Sequence, residues 1–343
     1  MKKIGIWGAI AALSVLFMAG ISPVQGEQIT LSLTDQNSDL SWGPVHATQP
    51  WAKQVEKVTN GRVKIQIYPS QTLAKGKEAW NAARDGIADM AWFAGGQNPG
   101  MMPYIDVITL PALFKTAEKG SEVLWKLYEK IPEIQKELAD NQILILYTVT
   151  PYKILTSKKQ VKTMEDLRGL KIRTAAGPPT DQMKLLGGIP VVLPMPDCYV
   201  AVDKGTLDGM LAAMEPIPGF KLYEVNKYVA EVPYCSNYFM VVMNKKKWNS
   251  LPKDIRDAIM SISGLEGSKW WGKNFFDSAD EGVLKIAKEA GYEMTYYPLP
   301  EKERERWLEI SGKPLWEQWI KGMESKGYSE ARKILNTTLE LLK

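Results

Sequence analysis

The sequence predicts an α/β fold divided into two domains. Before residue 150, β-type runs alternate with helical segments, the pattern of right-handed βαβ units that build a mostly parallel sheet. The alternation restarts after Thr150–Ser157, where the chain changes character, and this marks a crossing into a second domain. Between Glu165 and Gly209 a short charged helix, an apolar strand, a Gly-Pro-Pro step, a helix and a second strand follow closely. The first strand of that block ends on a lone arginine, Arg173.

Residues 1–26 read as a cleaved secretory leader and not as part of the fold. Lys2 and Lys3 form a positive n-region, Ile4 to Gly20 an apolar core, and Val24-Gln25-Gly26 places a small residue at the cleavage point. The core is also about as long as a short spanning helix, so a retained anchor is the alternative. With Glu27 as the mature start, the product is expected to be soluble and exported. The rest of the 343-residue chain is enough for about two domains.

Ile29–Leu33 is the first strand, and a polar loop leads to a helix from about Trp42 to Thr59, which Asn60-Gly61 stops as a C-cap. Arg62–Tyr68 alternates polar and apolar residues, as a half-buried strand does. A helix over Gly76–Asp85 and a strand over Ala88–Phe93 follow. The Gly/Pro/Asn-rich loop Ala94–Pro103 lies at a strand's carboxyl edge, as a ligand-facing loop or a plain connector. Glu118–Leu138 is an amphipathic helix. Ile143–Val149 is a continuous apolar strand buried on both faces. Leu170–Thr174 and Ile189–Leu193 are strands of the second unit, and Tyr238–Met243 is an apolar strand placed to return to the first. From Pro252 onward the chain is helical, apart from a strand-like stretch at Tyr292–Tyr297. Trp307, Trp316 and Trp319 fit a buried helical stripe.

Composition narrows the function classes. A formal charge of +4, with both signs mixed along the chain, lacks the footprint of a nucleic-acid binder. Cys198 and Cys235 could pair in an oxidising compartment or stay as buried thiols. With one His and no CxxC spacing, no metal site or other cofactor is expected. No GxSxG elbow, P-loop or strand-linked GxGxxG is present. His46, the sole imidazole, sits in a predicted helix with no pattern of partners beside it. It reads as a polar residue at the ligand-facing end of that helix, or a surface residue. These readings favour binding over catalysis.

Arg173 carries the chemistry. In open α/β sheets, ligands bind beyond the carboxyl ends of the strands. A guanidinium there presents a planar fork that accepts a carboxylate bidentately. The alternative is a domain-closing salt bridge with Glu165 or Asp166.

Several segments together carry a family resemblance: TNGRVKIQIYPSQTL, GIADM, TLPALF, KTMEDLRGLKIRT, LGGIPVVLPMPDCYVAVDKGTLDG, KLYEVNKYV and NKKKWNSLP. Over essentially the whole mature chain the sequence resembles the DctP-like substrate-binding proteins of the tripartite ATP-independent periplasmic (TRAP) transporters. The resemblance implies a two-domain periplasmic binding protein of the Venus-flytrap type, with strands crossing at the hinge and a long bracing helix. Residues 27–150 with about 237–275 would form domain I, and 151–236 with about 276–343 domain II, including the C-terminal helices. It also implies a monomer that closes on an organic acid and delivers it to membrane permease subunits. The family's signature arginine falls at Arg173.

Two departures bear on the ligand. Many members carry a second Arg where this chain has Pro151-Tyr152-Lys153; Lys153 keeps a charge without the fork, and Tyr152 is its neighbour. Many follow the Asp-Gly turn with Gln-Glu-Asn, where this chain has Met210-Leu211-Ala212-Ala213-Met214. Fewer polar contacts and a larger apolar wall point to a monocarboxylate with an apolar or aromatic body. The candidate wall is Trp92, Phe93, Met210 and Met214, with Trp42, Tyr152 and His46 beside it; the alternative is that Met210 and Leu211 only pack beneath the site. An exported enzyme acting on an organic acid, and a ligand-presenting partner of a sensor, are the competing functions.

Overall fold

The computed structural model describes residues 28–98, 100–174, 178–193 and 195–343; the leader, and Gly177 of the Gly-Pro-Pro step, lie outside them. Two mixed sheets form two lobes. The first has the order β2-β1-β3-β10-β4 and the second β11-β9-β5-β8-β6-β7. In the first, β1 (Ile29–Thr34), β2 (Val63–Tyr68) and β3 (Met90–Ala94) run parallel. Strand β10 (Tyr238–Asn244) runs antiparallel between β3 and β4 (Asn141–Thr148). In the second, β6 (Lys171–Thr174) lies parallel to β7 (Ile189–Val192) and β8 (Gly209–Ala212). Strand β5 (Lys153–Thr156) opposes β8 and β9 (Tyr228–Glu231), and β11 (Thr295–Pro298) closes the far edge.

The odd strand of each sheet is the one that arrives from the other lobe: β5 directly after β4, and β10 directly after β9. The two crossing segments hold each other, since Val149 N donates to Asn237 O at 3.0 Å and Tyr152 N to Cys235 O at 3.1 Å. Ser236 Oγ adds a 2.8 Å bond to Val149 O. Cys198 and Cys235 are both buried, and no disulfide joins them.

A continuous helix braces the lobes, in three segments: Gly264–Trp271, a π-helical stretch Gly272–Asp277, and Ser278–Glu289. Trp271, Phe275 and Phe276 sit in the core of the first lobe. Ala279, Val283 and Ala287, at helical spacing further along, sit in that of the second. A second continuous helix repeats the device over Glu301–Trp307, Leu308–Gly312 and Lys313–Glu324. Its Trp307 is buried in the second lobe and its Ile320 in the first.

The expected boundary differs from the packing at the C-terminus. Ile320, Ile334 and Leu335 join the core that covers one face of the first sheet, so Lys313–Glu324 and Ala331–Leu342 pack there and not on the second lobe. The helix expected over Glu118–Leu138 is two, Ala117–Lys130 and Pro132–Glu137. Pro132 pushes Ile131 into extended backbone (φ −107°, ψ 105°), ending one helix, and itself begins the next. The first helix stops where expected, with Asn60 and Gly61 both at positive φ.

Candidate functional site

Strand β6 runs apolar on its buried side through Ile172 and delivers Arg173 to the carboxyl edge of the second sheet, between the ends of β7 and β8. There the guanidinium is oriented, among the described residues, by main-chain carbonyls. Nε donates to Leu193 O at 2.8 Å and one terminal nitrogen to Leu211 O at 3.1 Å. Glu165 is instead held 2.6 Å from Arg306, and Asp166 pairs with Lys159 at 2.7 Å while accepting from the backbone of Lys162 and Thr163. Among the described residues no carboxylate lies within 4.0 Å of Arg173.

Arg173 opens onto a cavity of about 200 Å³ between the lobes. The first lobe contributes Val149 and Phe239, the second Tyr152, Met195, Leu211, Ala212, Ala213, Glu215 and Pro216, and the bracing helix Phe276. An apolar cavity of about 150 Å³ suffices for benzene, so an aryl ring fits this volume. Phe239 reaches the cavity because β10 alternates; its ring stacks on Trp92 behind it at 5.0 Å. Phe276 packs at a tilt against Phe239, 5.2 Å away, and against Phe275 at 4.7 Å. Burial raises the Tyr152 phenol pKa, while nearby Arg173 and the Asn237 side chain pull it down.

Glu215 is the acidic residue of the lining. Burial raises its carboxyl to about 7, opposed by the backbone N–H of Gly43, and the charge acting on it is that of Asp35. Gly43 is itself packed against the Phe275 ring, which occupies the space a Cβ would need. The contact joins the first lobe to the second.

The other residues singled out from sequence lie elsewhere. Lys153 alternates away from Tyr152, is buried, and pairs with Asp280 of the bracing helix at 2.8 Å. Trp92 is one layer behind the cavity, with its Nε1 donating to Tyr147 Oη at 2.7 Å. Phe93 faces the opposite side of the first sheet, 5.5 Å from Trp80. Met210 and Met214 are buried in the core they share with Val283 and Ala287 of the bracing helix, whereas Leu211 lines the cavity. Trp42 donates to Ser278 Oγ at 3.2 Å, and His46 stacks on Trp42 with centroids 3.9 Å apart. In the loop after β3, Gly95 is pressed against the Tyr238 ring and Gly96 against Asn237, so these glycines serve close packing at the crossing. No group of His, Cys, Asp and Glu side chains among the described residues has the arrangement of a metal site, and no helix there is long and apolar enough to cross a membrane.

Comparison with known proteins agrees with this architecture. The family model for bacterial extracellular solute-binding protein, family 7, matches residues 43–322. A TRAP solute-binding protein from Rhodoferax ferrireducens, solved with copurified benzoate, superposes with a TM-score of 0.81 at 28% identity, covering 92% of this chain and 98% of that one. A marine-metagenome TRAP solute-binding protein specific for aromatic acids, solved with 3-hydroxybenzoate, gives 0.81 at 27% identity over 92% and 98%. A Comamonas testosteroni protein named outer membrane transporter protein TsaT is 27% identical over 314 residues, 87% of this chain and 90% of its own.

Proposed function

The chain belongs to the bacterial extracellular solute-binding proteins of family 7 and is a receptor of the TRAP type, and from that premise we propose that its cargo is a monocarboxylate with an aromatic body. In this reading Arg173 takes the carboxylate, with Tyr152, Phe239, Phe276 and Leu211 enclosing the ring. The loaded protein then presents the acid to the membrane permease from the periplasmic side.

The observation that carries the reading is the state of Arg173. Its guanidinium is oriented by two carbonyls, has no acid among the described residues within ion-pair distance, and faces a cavity with aromatic walls. Burying such a charge without a counter-ion is costly, so a closed cleft is favoured when a carboxylate enters with the ligand. Closure expels water and strengthens the pair as the local dielectric falls. The relatives solved with benzoate and 3-hydroxybenzoate support the same ligand class.

Calorimetric titration of the mature protein with benzoate, phenylacetate, succinate, lactate and a hexuronate tests the proposal. Aromatic acids are expected to bind most tightly. Tight binding of the hexuronate with none of benzoate would overturn the aromatic assignment.

A further inference from the structure

We propose that Glu215 is the residue that selects, among aromatic acids, those carrying a hydroxyl at the end of the ring remote from the carboxylate. The inference rests on the reading of Arg173 given above and adds a second polar anchor to it.

Arg173 and Glu215 line the same cavity, and the other side chains around it are apolar or aromatic, Tyr152 with its hydroxyl included. Arg173 reaches the cavity from β6. Glu215 reaches it from the segment after β8, where Gly43 of the opposite lobe meets its carboxyl. The charge that acts on Glu215 is that of Asp35, so within the shared lining Arg173 and Glu215 are two separate polar points. In a cavity of about 200 Å³, a ring held by its carboxylate at Arg173 shares the enclosed space with the Glu215 carboxyl.

The form of the carboxyl decides what it recognises. Burial and the neighbouring Asp35 carboxyl both oppose ionisation, and the Glu215 pKa rises to about 7. In the neutral form one oxygen accepts from Gly43 N–H and the O–H is left to donate into the cavity. A phenolic oxygen satisfies that donor; an unsubstituted ring leaves it unpaired and dry, which is costly. A site built to hydrogen-bond a hydroxyl discriminates against the analogue that lacks it far better than an apolar wall does.

The test is calorimetry at pH 6 with benzoate, 3-hydroxybenzoate, 4-hydroxybenzoate and 3-(aminomethyl)benzoate, on the wild type and on Glu215→Gln and Glu215→Leu, each checked for folding by thermal melting. The wild type is expected to prefer at least one hydroxybenzoate over benzoate by about tenfold or more. Glu215→Leu should bring that ratio to about one, and Glu215→Gln, which keeps a donor and an acceptor, should retain most of it. A wild-type ratio near one overturns the proposal, as does a ratio that survives in Glu215→Leu. Stronger binding of the aminomethyl acid also overturns it, since that would require an ionised Glu215. If Glu215→Leu does not fold, the wild-type ratios and Glu215→Gln still decide. Binding of benzoate without hydroxyl preference leaves the Arg173 reading standing, whereas binding of none of these acids defeats both.

Discussion

Lys153 Nζ lies 2.8 Å from Asp280 Oδ2, tying the first strand of the second lobe to the bracing helix. Both groups are largely withdrawn from solvent, and Asp280 Oδ1 has no further hydrogen-bond partner among the described residues. Burial pushes the Asp280 carboxyl upward while Lys153 pulls it back. Lys153→Met is expected to destabilise the protein by about 3 kcal/mol, because it strands a buried carboxylate. Adding Asp280→Leu should recover much of that loss. Denaturant unfolding of the single and double variants checks this, with little change expected in ligand affinity.

Arg173→Ala should weaken binding of any carboxylate ligand by at least about a hundredfold, the loss expected when one partner of a desolvated charge pair is removed. The fold should survive, since the contacts that go with it among the described residues are two carbonyl bonds, worth about 1 kcal/mol each. Arg173→Lys keeps the charge but loses the fork and the anchored geometry, and should recover only a small part. Calorimetry paired with thermal melting separates the two effects.

Phe276 and Phe93 make a contrasting pair. Phe276→Ala removes a cavity wall and should lower affinity for benzoate-sized acids by about tenfold, with less effect on bulkier aryl acids that fill the gap. Phe93→Ala opens a hole in the far core of the first lobe, at a cost of about 3–5 kcal/mol, with the dissociation constant nearly unchanged. An affinity loss in Phe93→Ala beyond that in Phe276→Ala would contradict the assigned cavity.

Asp106 supplies a pH signature. Burial raises its carboxyl from the usual 3.8 to about 7, against a hydrogen bond from Tyr238 Oη at 3.1 Å. A carboxyl whose folded pKa is raised contributes its full stability below the unfolded value and loses it as pH climbs through the folded value. The wild type should therefore lose stability relative to Asp106→Asn between about pH 4 and pH 7, by at most about 1.4 kcal/mol per pH unit. Unfolding curves of both proteins across that window measure the difference, and a constant gap would refute it.

Much of the scaffold was legible because it is written in periodicity. β1, β2 and the apolar strand β4 announce themselves, and Asn60-Gly61 marks the end of a helix. Strands β5, β8 and β9 are four residues long each, too short to show a period, and they appear only through their pairing. Arg173 stood out because a charge closing an apolar strand has few purposes. The wall did not stand out, because alternation tells which residues share a face but not which face meets a cleft. Trp92 and Phe93 are adjacent in a strand and so had to point apart. The same logic separates Tyr152 from Lys153, and Leu211 from Met210. Phe239 was hidden in a run buried on both faces. Phe276 was hidden in a helix whose π-helical stretch shifts the usual spacing. Glu215 carried no spacing signal; only the fold brings it to the cavity.

The helix over residues 264–289 is rooted by large aromatic side chains in one core and by small aliphatic ones in the other. Such a beam cannot slip lengthwise without tearing a core, so any parting of the lobes must flex it, most readily at its wider π-helical turn. Opening then loads a spring, and the ring of Phe276, mounted on that turn, would feel the load first. The cavity wall that Phe276 forms and the turn that must flex are therefore one and the same piece of helix.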